Sequence, residues 1–146
     1  MKCFLFLVFC CIPFSFFAKN VDVITAEKIA KFVLTGVDTQ TRSNEIDVSL
    51  IWTGEDVCTR MNNSPAYYVF NKVGGNGFVI VSGDDIIKPI LAYSYVNSFH
   101  VENMPDNLRA WMAYYREQIN WAREENIVSD EETIWAWERL RDEIDS

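Results

Sequence analysis

Residues 66 to 94 read AYYVFNKVGGNGFVIVSGDDIIKPILAYS, in which short polar links separate three apolar segments. The segments are AYYVFN, GFVIVSG and PILAYS, and the links are KVGGN and DDIIK. The first two segments place apolar side chains on both faces, which is typical of central strands that need cover on both sides. Because the links are short, we expect consecutive strands to pair antiparallel, with turns formed by Gly74, Gly75 and Gly77.

Two further elements precede this stretch. The sequence TAEKIAKFVLTG, residues 25–36, has apolar residues at helical spacing, with Thr25 as a possible N-cap. The sequence IDVSLIW, residues 46–52, alternates apolar and polar positions and predicts a half-buried strand. Residues 53–65 show little periodicity and predict a connection, with room for one short strand around Val57.

The last third of the chain predicts two amphipathic helices. The first, PDNLRAWMAYYREQINWAREE, begins at Pro105, which a first helical turn tolerates. Its apolar stripe consists of Leu108, Trp111, Met112, Tyr115, Ile119 and Ala122. The second, SDEETIWAWERLRDEI, begins with an S-x-x-E capping box of Ser129 and Glu132, and its stripe consists of Trp137, Leu140 and Ile144. Strands followed by helices indicate an α+β fold, an antiparallel β-sheet (meander) packed with helices.

The first residues, MKCFLFLVFCCIPFSFFAKN, are typical of a secretory signal peptide. Lys2 precedes an apolar run that is shorter than the about 20 residues of a membrane span, so we expect no stable membrane span. We expect a signal peptide at residues 1–18, cleaved near Ala18, and a single domain at residues 19–146. The mature protein is then exported to the periplasm, the cell surface or the extracellular space.

The cysteines bear on lipid attachment and disulfide formation, and the charge bears on the possible partners. Cys10 and Cys11 offer a lipid anchor as the alternative to cleavage, although neither follows a small residue. Removal of residues 1–18 leaves Cys58 alone, so no intramolecular disulfide can form. The net charge of −8 excludes nucleic acid as an expected partner, because phosphate binding requires a basic surface. Residues 117–146 carry ten acidic and three basic side chains, which indicates either a solvated helical face or attraction of a basic partner.

No residue pattern predicts an active site. The GGNG sequence at residues 74–77 is followed by a strand, whereas a phosphate-binding loop leads into a helix, so a hairpin link is expected. Asp84 and Asp85 are expected as turn residues. A nucleophilic Cys58 would need His100 as its base, but no predicted helix N-terminus adjoins Cys58 to activate a thiol. A single histidine does not make a zinc site, so we expect no enzyme, cofactor, metal or small-molecule substrate.

Several motifs together carry a family resemblance. They run from YYVFN through GGNGFVIVSGDD, PILAYS and NSF to NMPDNLRAWMAYYREQI. In these motifs the chain resembles the propeptides of streptopain-like secreted cysteine peptidases, and it is similar to the free-standing Spi-type inhibitors related to those propeptides. The resemblance covers residues 24–120 in the order of elements, and its motifs lie within residues 67–119. It implies an α+β fold with an antiparallel sheet. Because the chain stops at Ser146, it also implies an inhibitor without an enzyme of its own rather than a zymogen.

The resemblance also implies a peptidase-binding segment. In the family, the segment before the long helix occupies the peptidase cleft, and an asparagine there approaches the displaced catalytic histidine; Asn107 is the matching position. We therefore expect the sequence SYVNSFHVENMPDN, residues 94–107, to enter the cleft. Its predicted peptidase-contacting residues are Ser98, Phe99, His100, Asn103, Met104, Pro105, Asp106 and Asn107. Further contact area is expected from the acidic helices or from Tyr67, Tyr93 and Tyr95.

The function implied is that of a secreted inhibitor that reversibly occludes the cleft of a streptopain-like cysteine peptidase. One alternative is a folding helper that acts in trans on a separately encoded peptidase. Another is a cell-surface binding module that reuses the fold. Two roles are open for residues 129–146, which either pack on the scaffold or form an extra contact.

Overall fold

The computed structural model describes residues 19–36, 46–54 and 64–146. In chain order its elements are α1 (Val23–Thr35), β1 (Val48–Thr53), β2 (Tyr67–Lys72), β3 (Phe78–Ser82), β4 (Ile90–Ser94), α2 (Asp106–Glu124) and α3 (Glu131–Asp145). The strands form an antiparallel sheet in the order β1-β2-β3-β4, so the predicted α+β meander is confirmed. Cys58 and the strand predicted around Val57 lie outside the described residues.

The central strands β2 and β3 are buried on both faces. Their alternate residues enter two separate cores, because successive side chains of a strand point to opposite faces. One core joins Tyr68, Phe70, Val79 and Val81 to Ala26, Ile29, Ala30 and Leu34 of α1 and to Trp137 of α3. The other joins Tyr67, Val69 and Ile80 to Met112 and Ile119 of α2 and to Phe99 and Met104 of the connection before it. The sheet is therefore a middle layer that is covered on both sides.

The three helices begin at residues that differ from the expected ones. Asp22, and not Thr25, caps α1, because its Oδ1 accepts hydrogen bonds of 2.9 Å from the amides of Ile24 and Thr25. Thr25 instead donates its hydroxyl to Asp22 Oδ2 at 2.8 Å. Pro105 occupies the N-cap position of α2, immediately before the first helical residue. The helix boundaries predicted from periodicity were thus close, and the capping residues were not.

The predicted capping box of α3 is wrong. Asp130 is the N-cap, and its Oδ1 accepts a 2.7 Å hydrogen bond from the amide of Thr133. Ser129 donates its hydroxyl to the carbonyl oxygen of Asp85 at 2.7 Å, and Glu132 forms a 2.7 Å ion pair with Lys88. Both residues of the predicted box therefore contact the segment between β3 and β4, which tertiary structure alone brings close.

Helix α3 packs on the scaffold. Trp137 is only 1% exposed, and its indole Nε1 donates a 2.8 Å hydrogen bond to the carbonyl oxygen of Ile87. Arg141 lies over the Trp137 ring at 5.3 Å and forms a 3.2 Å ion pair with Asp85. Of the two roles open for residues 129–146, the structure therefore supports packing on the scaffold.

A buried ion pair joins α2 to the end of β3. Arg123 Nε donates to Asp84 Oδ2 at 2.8 Å, and the Asp84 side chain is only 2% exposed. Burial raises the pKa of Asp84, and the hydrogen bond from Arg123 opposes that rise. The remaining Asp84 oxygen accepts a 3.2 Å hydrogen bond from the amide of Ile86. Asp85 lies in the turn, as expected, whereas Asp84 forms an isolated antiparallel bridge with Asn20 just before it, and its side chain is buried.

The same guanidinium fixes three backbone carbonyl groups. Arg123 donates to the carbonyl oxygens of Ser64, Pro65 and Gly83 at 3.0, 3.2 and 3.2 Å. Gly83 approaches this network so closely that a Cβ atom there would collide with the carbonyl oxygen of Pro65. The entry to β2, the exit from β3 and the end of α2 are therefore joined through one side chain.

We expect Arg123→Met to destabilise the protein strongly. Removal of one partner leaves the Asp84 carboxylate buried and unpaired, and breaking a buried ion pair costs about 3 to 5 kcal/mol. Lys88→Met is the matched control, because Lys88 and Glu132 are both largely exposed and exposed ion pairs contribute little to stability. Urea unfolding of both variants measures the free energies. Equal losses in the two variants would contradict the structural role of Arg123.

Asp22→Ala tests the first helix cap and its pH dependence. The pKa of Asp22 is lowered, first of all by the backbone hydrogen bond from Thr25. A carboxylate whose folded-state pKa lies below its unfolded value adds stability above the unfolded pKa and loses this contribution as pH falls through the folded-state pKa. We expect a loss of about 1 kcal/mol at pH 7. The difference from wild type should shrink below about pH 4.

Thermal unfolding as a function of pH measures this change, with Asp142→Ala as the control at an exposed helical carboxylate. A difference between wild type and Asp22→Ala that stays constant down to pH 2 would show that the carboxylate charge has no part in capping α1.

Candidate functional site

The segment of residues 94–107 connects β4 to α2. It leaves the sheet in a turn, in which Ser94 Oγ accepts hydrogen bonds from the amides of Val96 and Asn97 at 3.3 and 3.2 Å. Side-chain oxygens of serine commonly stabilise turns in this way. The direction in which the chain leaves the sheet is therefore stabilised by a local contact, the hydrogen bonds that Ser94 accepts.

Asn71 holds the middle of the 94–107 segment to the sheet. Its Nδ2 donates to the carbonyl oxygen of Phe99 at 2.9 Å, and its Oδ1 accepts from the amide of Phe99 at 2.8 Å. The carboxamide thus pairs with both backbone groups of one residue, as a neighbouring strand would. The Phe99 ring lies 5.4 Å from that of Phe78 and 6.2 Å from that of Trp52, so the segment is fixed by polar and apolar contacts at one position.

Met104 is the second attachment of the segment. Its side chain is 5% exposed and belongs to the same core as Phe99. Pro105 follows directly, and its carbonyl oxygen accepts the 2.9 Å hydrogen bond from Arg109 that begins the α2 ladder. Residues 100–103, between the two attachments, are exposed to solvent. The segment is therefore a short exposed arch whose two ends are held by the core.

The structure divides the predicted peptidase-contacting residues into two groups. Exposed side chains belong to His100, Asn103, Pro105, Asp106 and Asn107, and Ser98 is half-buried. Phe99 and Met104 are each only 5% exposed, so in this conformation their side chains face the core and hold the segment in place. Contact of the exposed group with a peptidase stays a prediction.

Asn107 is the second residue of α2 and lies three residues beyond Met104, outside the arch. Its carboxamide is solvent-exposed and has no hydrogen-bond partner within residues 19–36, 46–54 and 64–146. It can therefore both donate and accept a hydrogen bond to a partner. Its place in a helix fixes the backbone from which the side chain projects.

The three tyrosines expected to extend the contact area differ in exposure. Tyr67 is buried at 1% exposure, which contradicts a contact role for it, because its side chain packs in the core beneath α2. Tyr93 and Tyr95 are 55% and 38% exposed, and their ring centroids lie 5.1 Å apart. These two residues lie at the end of β4, where the 94–107 segment leaves the sheet, and form an exposed aromatic pair there.

Other chemistry has little support in the described residues. The GGNG sequence forms the β2–β3 hairpin turn as expected, and positive φ angles of 70° at Gly74 and 131° at Gly77 require glycine there. The described part of the chain contains no group of three or more His, Cys, Asp or Glu residues placed to hold a metal ion. None of the described helices is long and apolar enough to cross a membrane.

Comparison with known proteins identifies the family. A sequence profile described as Spi protease inhibitor matches residues 18–119, which is most of the chain. The chain belongs to the Spi protease inhibitor family. This confirms the resemblance noted in the sequence, and it agrees with the expectation that the chain is not an enzyme, because the family is one of inhibitors. The match ends at Ile119 within α2, so α3 lies outside the matched residues.

A curated relative links the chain to a protease. The chain is 34% identical over 53 residues to the thiol protease/hemagglutinin PrtT of Porphyromonas gingivalis. The aligned part makes up 36% of this chain and 6% of PrtT, so the chain spans only a small part of the length of that relative. No solved structure matches the chain.

Sequence reasoning missed Asn71. The available signal was its position, since it is the amide residue of the otherwise apolar segment AYYVFN. A half-buried carboxamide on a central strand needs hydrogen-bond partners, because an unpaired polar group in the interior is costly. That reasoning would have predicted a polar attachment on β2, although not the residue attached to it.

We expect Asn71→Ala to loosen the arch without unfolding the domain. The change removes both hydrogen bonds to Phe99 and leaves its backbone groups unpaired, which costs about 1 to 3 kcal/mol. Amide hydrogen exchange at Phe99 should therefore become about tenfold faster or more, while exchange in β3 stays slow. Asn97→Ala, at an exposed residue of the same segment, is the control. Unchanged protection of the Phe99 amide in Asn71→Ala would show that Asn71 does not hold the arch.

Proposed function

We propose that the protein inhibits a streptopain-like cysteine peptidase by placing residues 100–107 in the active-site cleft. Membership of the Spi protease inhibitor family and similarity to part of a thiol protease support a cysteine peptidase as the target. The observation that carries the mechanism is the exposed arch between Phe99 and Met104, two residues that are both held in the core. The inhibitor is proposed to act after export, without a cofactor.

The attachments of the arch favour tight binding without chemical reaction. Ordering a flexible loop on binding costs about 0.5 to 1.5 kcal/mol for each immobilised side chain with many rotamers. Here the two hydrogen bonds of Asn71 to Phe99 and the burial of Met104 order the backbone before any partner arrives. A segment fixed at both ends also resists the motion that cleavage would require. An inhibitor of this kind needs shape and polarity rather than a reactive group.

Asn107 is the residue proposed to enter deepest into the peptidase site. A carboxamide carries no charge, so it avoids the large desolvation penalty of placing an ion in a cleft closed to water. It can also satisfy both donors and acceptors of the peptidase. The exposed position of Asn107 and the absence of a hydrogen-bond partner for its carboxamide among the described residues support this role.

The arch alone is smaller than a stable interface. A standard protein–protein interface buries about 800 Å² on each partner. Tyr93 and Tyr95 lie where the 94–107 segment leaves β4, and exposed tyrosines contribute large contact areas at little entropic cost. We therefore include the end of β4 in the proposed interface.

Asn107→Lys should weaken inhibition by at least about tenfold, which corresponds to about 1.4 kcal/mol of binding free energy. The change places a charged and longer side chain in the proposed cleft contact, where burial of an unpaired ammonium is unfavourable. The inhibition constant of the exported protein is measured against purified streptopain-like peptidases with a fluorogenic peptide substrate.

Gln118→Lys is the matched control, because it makes the same change from amide to ammonium at an exposed position of the same helix. Thermal unfolding must show both variants to be folded. Inhibition by Asn107→Lys equal to that by wild type and Gln118→Lys would reject the proposed contact. Absence of inhibition by the wild-type protein at micromolar concentration would reject the proposed function itself.

A further inference from the structure

The first described residues are held against the turn between β3 and β4. The amide of Val21 donates to the carbonyl oxygen of Gly83 at 2.9 Å, and the amide of Asp85 donates to the carbonyl oxygen of Lys19 at 3.2 Å. Val21 is buried, and its carbonyl oxygen accepts a 2.9 Å hydrogen bond from the hydroxyl of Tyr68. The backbone position of Lys19 is therefore fixed by tertiary contacts.

A carboxylate lies directly at the backbone nitrogen of Lys19. This nitrogen donates to Asp85 Oδ1 at 2.6 Å, while Asp85 Oδ2 lies 3.2 Å from Arg141 Nη2. The Asp85 side chain is 20% exposed, so its charge is partly shielded from solvent. The contact is between residues 66 positions apart in the chain, and its donor is the backbone nitrogen of Lys19 rather than the Lys19 side chain.

We propose that residues 1–18 are removed by hydrolysis of the Ala18–Lys19 bond, and that the resulting α-ammonium group of Lys19 forms an ion pair with Asp85. In this reaction of a host leader peptidase, the peptide C–N bond breaks and water supplies both products. Its hydroxyl joins the carbonyl carbon of Ala18, and its hydrogen joins the nitrogen of Lys19. The amine then takes up a proton, because an α-amino group has a pKa of about 7.7 to 8.0. This proposal rests on the expected export of the chain and is independent of the inhibitory function.

Among the bonds near Ala18, cleavage of Ala18–Lys19 is the one that places the new ammonium group at Asp85. One residue of extended chain spans about 3.3 Å, so cleavage one bond earlier or later would move the ammonium away from Asp85 by about the length of the contact itself. Cleavage at Lys19 adds a positive charge to the donor of a hydrogen bond whose acceptor is already a carboxylate, so the contact becomes an ion pair. Asp85 also forms an ion pair with Arg141 of α3. Cleavage would therefore strengthen the contacts that connect the N-terminus, the turn between β3 and β4, and α3.

The first test is the N-terminus of the exported protein. The full chain is produced with its own leader in a bacterial host, and intact-mass and peptide mass spectrometry determine its first residue. We expect Lys19 with a free amine. A mature protein that begins at any other residue, keeps residues 1–18 or carries a lipid on Cys10 or Cys11 would overturn the proposal.

The second test measures the ion pair by a double-mutant cycle. One additional serine between Ala18 and Lys19 displaces the ammonium, and the product that begins with this serine is selected by its mass. The insertion and Asp85→Asn are compared singly and together by thermal unfolding. We expect the insertion to lower the melting temperature by about 4 °C in the otherwise native chain and to have little effect in the Asp85→Asn background.

Asp85→Asn keeps a side-chain oxygen as acceptor and removes the charge, so the cycle reports the charge interaction. An equal effect of the insertion in both backgrounds, or no effect in either, would overturn the ion pair. Inhibition of a peptidase is not among the measured quantities, so failure here and failure of the proposed function are distinguishable.

Discussion

The buried ion pair of Asp84 and Arg123 fixes how α2 lies on the sheet. Arg123 of this pair lies in the last turn of α2, whereas the exposed arch precedes the first turn of the same helix. A helix is stiff over this length, so a restraint at one end also restricts the other. The carbonyl groups held by Arg123 belong to the segments that enter β2 and leave β3, so the orientation of the arch depends on a charged group buried in the fold.

The neighbouring residues Asp84 and Asp85 serve two different parts of the molecule. Asp84 forms an ion pair with Arg123 of α2. Asp85 forms an ion pair with Arg141 of α3 and accepts a hydrogen bond from the backbone nitrogen of Lys19. Successive residues at the end of a strand point in different directions, which lets one short turn hold the helices of both faces. This explains why α3 packs firmly although it lies outside the residues shared with the family profile.

The arch itself combines exposure with order, two properties that usually oppose each other. Exposed loops have few contacts and move, whereas this one is attached at Phe99 by Asn71 and at Met104 by burial. The side chains available for binding therefore project from a backbone whose position is already determined. Under the proposed function this arrangement serves occlusion, because an inhibitor that fills a cleft must keep its shape beside an enzyme that cleaves extended chains.

Local sequence was enough to predict the elements and their order. The two-residue period of the strands and the wider period of the helices are local properties, and the links at Gly74 to Gly77 allow few turns. The motifs around Asn107 likewise carry the family resemblance, which the profile match confirms. Only the folded chain shows that Ser129 contacts Asp85 instead of capping α3, that Tyr67 is buried, that Asp84 pairs with Arg123, and that Asn71 holds Phe99. Each of these contacts is between residues that are distant in the chain. Which partner a buried polar side chain pairs with depends on the desolvation cost at its position in the folded protein, and local sequence does not contain that information.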